Sequence, residues 1–190
     1  MINIEIWASG GGSNADKILS YFKNIPTINV VSLGCNRSKA GAFNVAQNHQ
    51  IESILWDKKS WEPSNILSGL KDRNIDFIVL AGFLKLVPEE IIKHYKGRII
   101  NIHPSLLPKY GGKNMYGNRV HEAIIKNKEL KSGITIHEVN DEFDKGRILA
   151  QFTINIDAND DVEILRKKIQ LLEHQHFSPI IHSWVIAKSQ

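Results

Sequence analysis

Cysteine is almost missing from this chain. Cys35 stands alone in 190 residues, so no intrachain disulfide can form and the small disulfide-stapled secreted folds are excluded. Long apolar runs are missing too: none approaches the roughly 20 residues that a helix needs to cross a bilayer. The opening Met1-Ile2-Asn3-Ile4-Glu5-Ile6 has no basic leader and no signal-like apolar core. The expectation is a chain without membrane contact in a reducing cytoplasm. Metal-ligand spacing is absent, since the eight histidines contain no H-x-x-x-H pair and His174-x-His176 on a helix would point apart. A G-x-S-x-G serine elbow and a phosphate loop ending in Gly-Lys-Ser/Thr are also lacking.

What remains is ordinary globular material, 42% hydrophobic and 23% charged, with a net charge of +4. A chain of this length buries roughly 70% of its unfolded surface and needs no staple. The positive balance admits a nucleic acid, a membrane surface or an anionic small molecule as partner. Its Lys and Arg residues are scattered, with no run of five like charges and no basic–aromatic interleaving, which argues against nucleic acid.

Short apolar runs alternate with helical patterns through the first half. Strands are expected at Ile2–Ala8, Ile28–Cys35, Glu52–Trp56, Ile75–Ala81 and Arg98–Ile102. Helices are expected from Ser13 through Phe22, at Ala40–His49 and Ser64–Asn74, and at Pro88–Tyr95 with its proline in the first turn. Such alternation gives an α/β fold: an open, mostly parallel sheet with helices on both faces. Pro104–Asn118 reads as a loop and Val120–Asn127 as a short helix. Gly133–Glu138 and Arg147–Ile156 read as a strand meander added to the sheet. Asp160–Lys188 reads as a long amphipathic helix that Pro179 kinks or breaks. No linker or repeat interrupts residues 1–190, so one domain is expected.

Two segments carry chemistry. Ser9-Gly10-Gly11-Gly12-Ser13-Asn14 joins the first strand to the first helix, where α/β sheets bind phosphate. Ala15 stands where a dinucleotide fingerprint needs glycine. The segment is therefore either a monophosphate site or a glycine turn with a Ser or Asn helix cap. In Asn101-Ile102-His103-Pro104 the Asn and His point to one side of a strand that the proline ends. That pairs a proton-exchanging ring with an amide able to donate to an oxyanion. Among the carboxylates of Asn140-Asp141-Glu142-Phe143-Asp144, one can orient the His and raise its pKa, and spacing does not select which. Thr135 and His137 alternate on the strand before, and His137 reads as a satisfied sheet histidine rather than a second catalyst.

These segments, with Ala81-Gly82-Phe83 and Asp144-x-Gly146, resemble the phosphoribosylglycinamide formyltransferase family in order and over nearly the whole chain. The resemblance implies a Rossmann-like formyltransferase fold. It also implies formyl transfer from 10-formyltetrahydrofolate, as co-substrate and without a metal, to phosphoribosylglycinamide in purine biosynthesis. Asn101, His103 and Asp144 match the catalytic trio, with Thr135 and His137 in support. Gly12, Ser13, Asn14, Gln170 and Glu173 match ribonucleotide contacts. Leu84, Lys85, Leu86 and Val87 match the segment that holds the pterin, and Asn101 with Asn140, Asp141, Glu142, Phe143 and Asp144 the remaining folate contacts.

On that resemblance a protonated His103 and the Asn101 amide stabilise the oxyanion while Asp144 keeps the ring charged or aligned. The partners are then small anions, with no nucleic acid and no membrane, and the protein is a monomer or homodimer. Departures from the family pattern are Lys85 for an arginine, Gly146-Arg147 for Gly-Pro, and a longer loop at Tyr110–Gly117. An upstream arginine has no counterpart, leaving Lys58 or Lys59 as candidate substitutes. Two related activities fit less well. Formyltetrahydrofolate hydrolases carry an added N-terminal domain, and methionyl-tRNA formylation calls for a C-terminal RNA-binding domain.

Overall fold

The computed structural model describes residues 1–189. Seven strands form one sheet in the order β3-β2-β1-β4-β5-β6-β7. The strands are β1 (Ile2–Ala8), β2 (Ile28–Cys35), β3 (Glu52–Leu55), β4 (Phe77–Leu80), β5 (Ile99–His103), β6 (Lys131–Glu138) and β7 (Ile148–Asn155). The first five are parallel, and β6 and β7 follow antiparallel as the expected meander.

Side-chain alternation explains the layers. Ile4, Ile6 and Ala8 of β1 face a core built with α1 (Ser13–Phe22), α2 (Ala42–Asn48), α5 (Asn118–Lys126) and α6 (Val162–Lys188). Trp7 of the same strand faces a second core with α3 (Pro63–Asp72) and α4 (Glu89–His94). Both faces are thus covered, as a parallel sheet requires.

Element bounds shift by one or two residues for local reasons. β4 begins at Phe77 rather than Ile75 because the Ile75 amide still closes α3 on the Leu70 carbonyl. Pro88 caps α4 from outside the helix instead of occupying its first turn. Of the kink or break expected at Pro179, the break does not occur: α6 runs 27 residues through it. Loss of one backbone donor is outweighed there by the apolar side chains of Phe177, Ile181, Trp184 and Val185, all buried against the sheet.

Strand order reverses at β1, whose neighbours are β2 and β4. Open α/β sheets leave a crevice at the carboxyl ends of the strands at such a point. The changeover from parallel to antiparallel at β5 adds a wall to it, because Asn101 lies opposite His137 and His103 opposite Thr135.

Candidate active site

A cleft of about 750 Å3 opens at this crevice, lined by Asn14, Asn101, His103, His137, Asp144 and Glu173 among others. Its size is that of a small-molecule site. The segments singled out in the sequence therefore meet at one place, although 159 positions separate Asn14 from Glu173.

His103 and Asp144 face each other at 3.5 Å, Nδ1 to Oδ2, both largely out of solvent. Asp144 Oδ1 lies 3.7 Å from His137 Nε2. His137 donates from Nδ1 to the Glu138 carbonyl at 2.9 Å, which leaves Nε2 to accept from the Asn101 amide at 3.1 Å. His137 is thus the satisfied sheet histidine expected, and its acceptor also fixes the orientation of Asn101. Among the three candidate carboxylates only Asp144 reaches a histidine; Glu142 pairs with Lys145 instead.

Burial pushes the His103 ring below its ordinary pKa, against the opposing pull of Asp144 and the Tyr110 carbonyl. Burial also pushes the Asp144 carboxyl up, but the His137 ring, the His103 ring and the Gly112 amide outweigh it and hold the group below its ordinary range. At neutral pH the pair is a carboxylate beside a neutral imidazole. Asp144 pulls the ring's pKa upward as expected, but burial exceeds that pull; of the two effects expected of the carboxylate, charging the ring or aligning it, the free protein is left with alignment.

The loop after β5 holds the cluster from above. His103 donates from Nε2 to the Tyr110 carbonyl at 2.8 Å, and the Gly112 amide donates to Asp144 Oδ2 at 2.8 Å. A Cβ at Gly111 would collide with the Leu107 side chain and meet Asp144 Cβ at 3.3 Å, so loop and carboxylate approach closely where this glycine stands. Tyr110 and Asp144 both take left-handed φ values, 57° and 56°. Such conformations cost on the order of 1–3 kcal/mol each and collect at functional sites. Thr135 lies outside the cleft lining; its hydroxyl donates to the Ser105 carbonyl and accepts from the Leu107 amide, anchoring the base of the same loop.

At the other end, α1 starts without a side-chain cap, from Gly12 at φ 83°. An added Cβ at Gly12 would meet the Ala42 backbone at 2.9 Å. The Ser or Asn cap considered in the sequence is not formed, because both side chains turn to α6. Asn14 donates to Glu173 at 2.8 Å and Ser13 accepts from Gln170 at 3.0 Å. The first-turn amides are left facing outward with the positive end of the helix dipole. Asn14 Oδ1 is buried without a partner, and enclosure raises the Glu173 carboxyl above its ordinary pKa. Gly10, Asn14, Gln170 and Glu173 line the cleft, whereas Gly12 and Ser13 are not part of its lining.

Leu84 to Val87 and Asn140, Glu142 and Phe143 complete the rim; Asp141 does not reach it. Leu84, Leu86 and Phe143 are exposed apolar side chains around the opening. Lys85 Nζ sits 4.3 Å over the Trp61 ring, a contact an ammonium makes without the fork of an arginine. Lys58 and Lys59 are exposed and outside the lining of the cleft. Sequence reasoning misses His121, which is buried in the cleft wall and pushed down to about 4, first by burial and then by the Arg166 charge and the neighbouring His103 ring. Its signal is a polar residue on the apolar face of α5, beside Val120 and Ile124.

Residues 2–181 match the formyl transferase family. The chain is 39% identical over 186 residues to a chloroplastic phosphoribosylglycinamide formyltransferase of Arabidopsis thaliana, covering 94% of this chain and 63% of that protein. A Bacillus subtilis phosphoribosylglycinamide formyltransferase is 32% identical over 187 residues, covering 95% and 93%. The crystal structure of the Bacillus halodurans protein of that name superposes with a TM-score of 0.88 at 33% identity, over 99% of this chain and 97% of that one. The chain thus spans under two thirds of the plant relatives' length and nearly all of the bacterial ones.

Proposed function

We propose, on the premise that the chain belongs to the formyl transferase family, that it moves the formyl group of 10-formyltetrahydrofolate to the amine of phosphoribosylglycinamide. One observation carries this reading. A single cleft holds both the Asn101–His103–Asp144 cluster and the Asn14–Glu173 pair beside an uncapped helix N-terminus. The first suits acyl transfer. The second suits a phosphate with neighbouring hydroxyls.

The roles follow from the chain's own groups. The outward amides of α1 take the phosphate, and Glu173 accepts from ribose hydroxyls. The 84–87 backbone and the apolar rim take the folate ring. The amine then lies near His103, whose Nε2 hydrogen is held by the Tyr110 carbonyl and whose free Nδ1, on the Asp144 side, receives the amine proton as the bond to the formyl carbon forms. Collapse of the oxyanion then breaks the bond to the folate nitrogen, which leaves as the secondary amine with the proton that the imidazolium gives back. Asp144 stabilises the imidazolium so produced. Asn101 gives one amide hydrogen to His137 and keeps the other for the developing oxyanion, a contact worth about 3 kcal/mol in comparable sites. Holding amine and formyl side by side contributes about 7–11 kcal/mol more. These steps call on no metal. No described helix is long and apolar enough to cross a membrane, and the lone, buried Cys35 suits a reducing cytoplasm. The protein acts as a monomer or homodimer on two small anions.

The test is substrate dependence. Purified protein is expected to consume 10-formyltetrahydrofolate only when the ribonucleotide is present, with formylated ribonucleotide appearing in equal amount. Loss of the folate at the same rate without ribonucleotide would replace transfer by hydrolysis.

A further inference from the structure

We infer that Ser9 is a positioning residue that sets the folate-side segment against the glycine loop; the inference rests on the function proposed above. The segment from Gly82 to Val87 is irregular, and few of its backbone groups are engaged. Among the described residues, two hydrogen bonds tie it to the rest of the protein, and both go to Ser9. The Ser9 amide donates to the Gly82 carbonyl at 3.1 Å, and the Leu84 amide donates to Ser9 Oγ at 2.8 Å. The hydroxyl gives its own proton to Asn36 Oδ1 at 2.6 Å. One donor and one acceptor are thereby used, in a side chain 1% exposed.

Ser9 is also the first residue of the glycine loop. The next residue, Gly10, accepts from the Ala42 amide at 3.1 Å, which presses the loop on the start of α2. The end of β1, the Asn36 turn and the 82–84 segment are therefore joined through one hydroxyl. Gly82 has φ 72° and nothing near its missing side chain; side-chain packing of the segment comes through Phe83 and Val87, buried against the second core, and the Ser9 bonds set its backbone. Folate and ribonucleotide would sit on the two sides of this joint. Reaction needs their reacting atoms within about 3–3.5 Å, and the joint fixes that spacing.

The experiment compares wild type, Ser9→Ala, Ser9→Thr and Asn36→Ala. Tetrahydrofolate and phosphoribosylglycinamide are titrated singly and together by calorimetry, alongside kcat, both KM values and thermal melting. Ser9→Ala is expected to weaken tetrahydrofolate about tenfold, the loss of roughly one hydrogen bond. It leaves ribonucleotide bound alone within about twofold, and it lowers kcat with saturating substrates. A purely structural role would lower melting and spare kcat at saturation. Ser9→Thr, which keeps the hydroxyl, is expected to restore kcat. If Ser9→Ala does not fold, Asn36→Ala carries the test, because it frees the hydroxyl's donor end while leaving Leu84 attached. A smaller loss of the same pattern is expected from it. Wild-type tetrahydrofolate affinity and kcat in Ser9→Ala, or in Asn36→Ala where that variant carries the test, would overturn the inference. Tetrahydrofolate bound by wild type without formyl transfer would overturn the proposed function instead.

Discussion

Glu5 and Asp144 are two carboxylates taken out of water, one on β1 and one in the loop between β6 and β7, and they are held in opposite ways. Glu5 is fully buried and closed off: Trp7, Ser32 and Arg73 all donate to it, with contacts of 2.6 to 3.0 Å. Asp144 has one short hydrogen bond, from the Gly112 amide, and two histidine rings at 3.5 and 3.7 Å. It sits on left-handed backbone at the end of a loop. A carboxylate surrounded by donors at ideal distance has nothing left to offer a substrate. One with a neutral ring just beyond hydrogen-bond distance has charge in reserve for the moment that ring is protonated. On the proposed function, this difference separates a structural acid from a reacting one more sharply than burial does.

The two acids and their neighbours should respond differently to substitution and to pH. Replacing His103 with Ala is expected to lower kcat about a thousandfold with the circular dichroism spectrum retained; activity within tenfold of wild type would remove the ring from the mechanism. Glu5→Gln leaves the Arg73 guanidinium partly unpaired in the core. It is expected to cost about 3 kcal/mol of unfolding free energy in a denaturant titration, with kcat at saturation unchanged. A kcat loss there comparable to that at Asp144 would erase the distinction. Acid tests a third buried group. His121 titrates near 4 in the fold against an ordinary value of 6.5, so unfolded chains bind its proton first as pH falls. Its contribution to stability is whole above pH 6.5 and drains away down to pH 4, by roughly 3 kcal/mol. Denaturation followed across that range should show the slope, and His121→Asn should flatten it. Asp144→Asn is expected to lower kcat about a hundredfold with little change in melting, since the shape and the Gly112 contact survive. The smallest effect belongs to the far wall: Asn14→Ala should raise KM for the ribonucleotide about tenfold and leave that for folate within about twofold.

Much of this is legible in the amino-acid sequence, and the failures have physical reasons. Ile75–Ala81 and Ile2–Ala8 announce buried parallel strands by composition alone, and Asn101-x-His103-Pro104 places two side chains on one face of a strand that must end there. Spacing does not select Asp144 over Asp141 and Glu142. The selection depends on the antiparallel register that brings β6 beside β5, and on a φ that only the folded loop reveals. The sequence misleads about the charge state of His103 because it displays the partner of the ring and hides the burial. A local rule has Pro179 interrupt α6, and tertiary packing along Phe177 to Val185 overrides it. Ser9 reads as the unremarked first letter of a glycine loop, since the two partners of its hydroxyl lie 27 and 75 positions away.

The hydrogen bond between His103 and the Tyr110 carbonyl bears on affinity. The ring nitrogen pointing into that contact is already engaged before any ligand arrives. A substrate atom that needs it must displace the carbonyl, so the loop acts as an intramolecular competitor at fixed effective concentration. Observed binding at this nitrogen is therefore a difference between two partners rather than the strength of one. Substitutions that loosen residues 110 to 112, Gly111 included, act on KM through the side of that balance that never touches substrate.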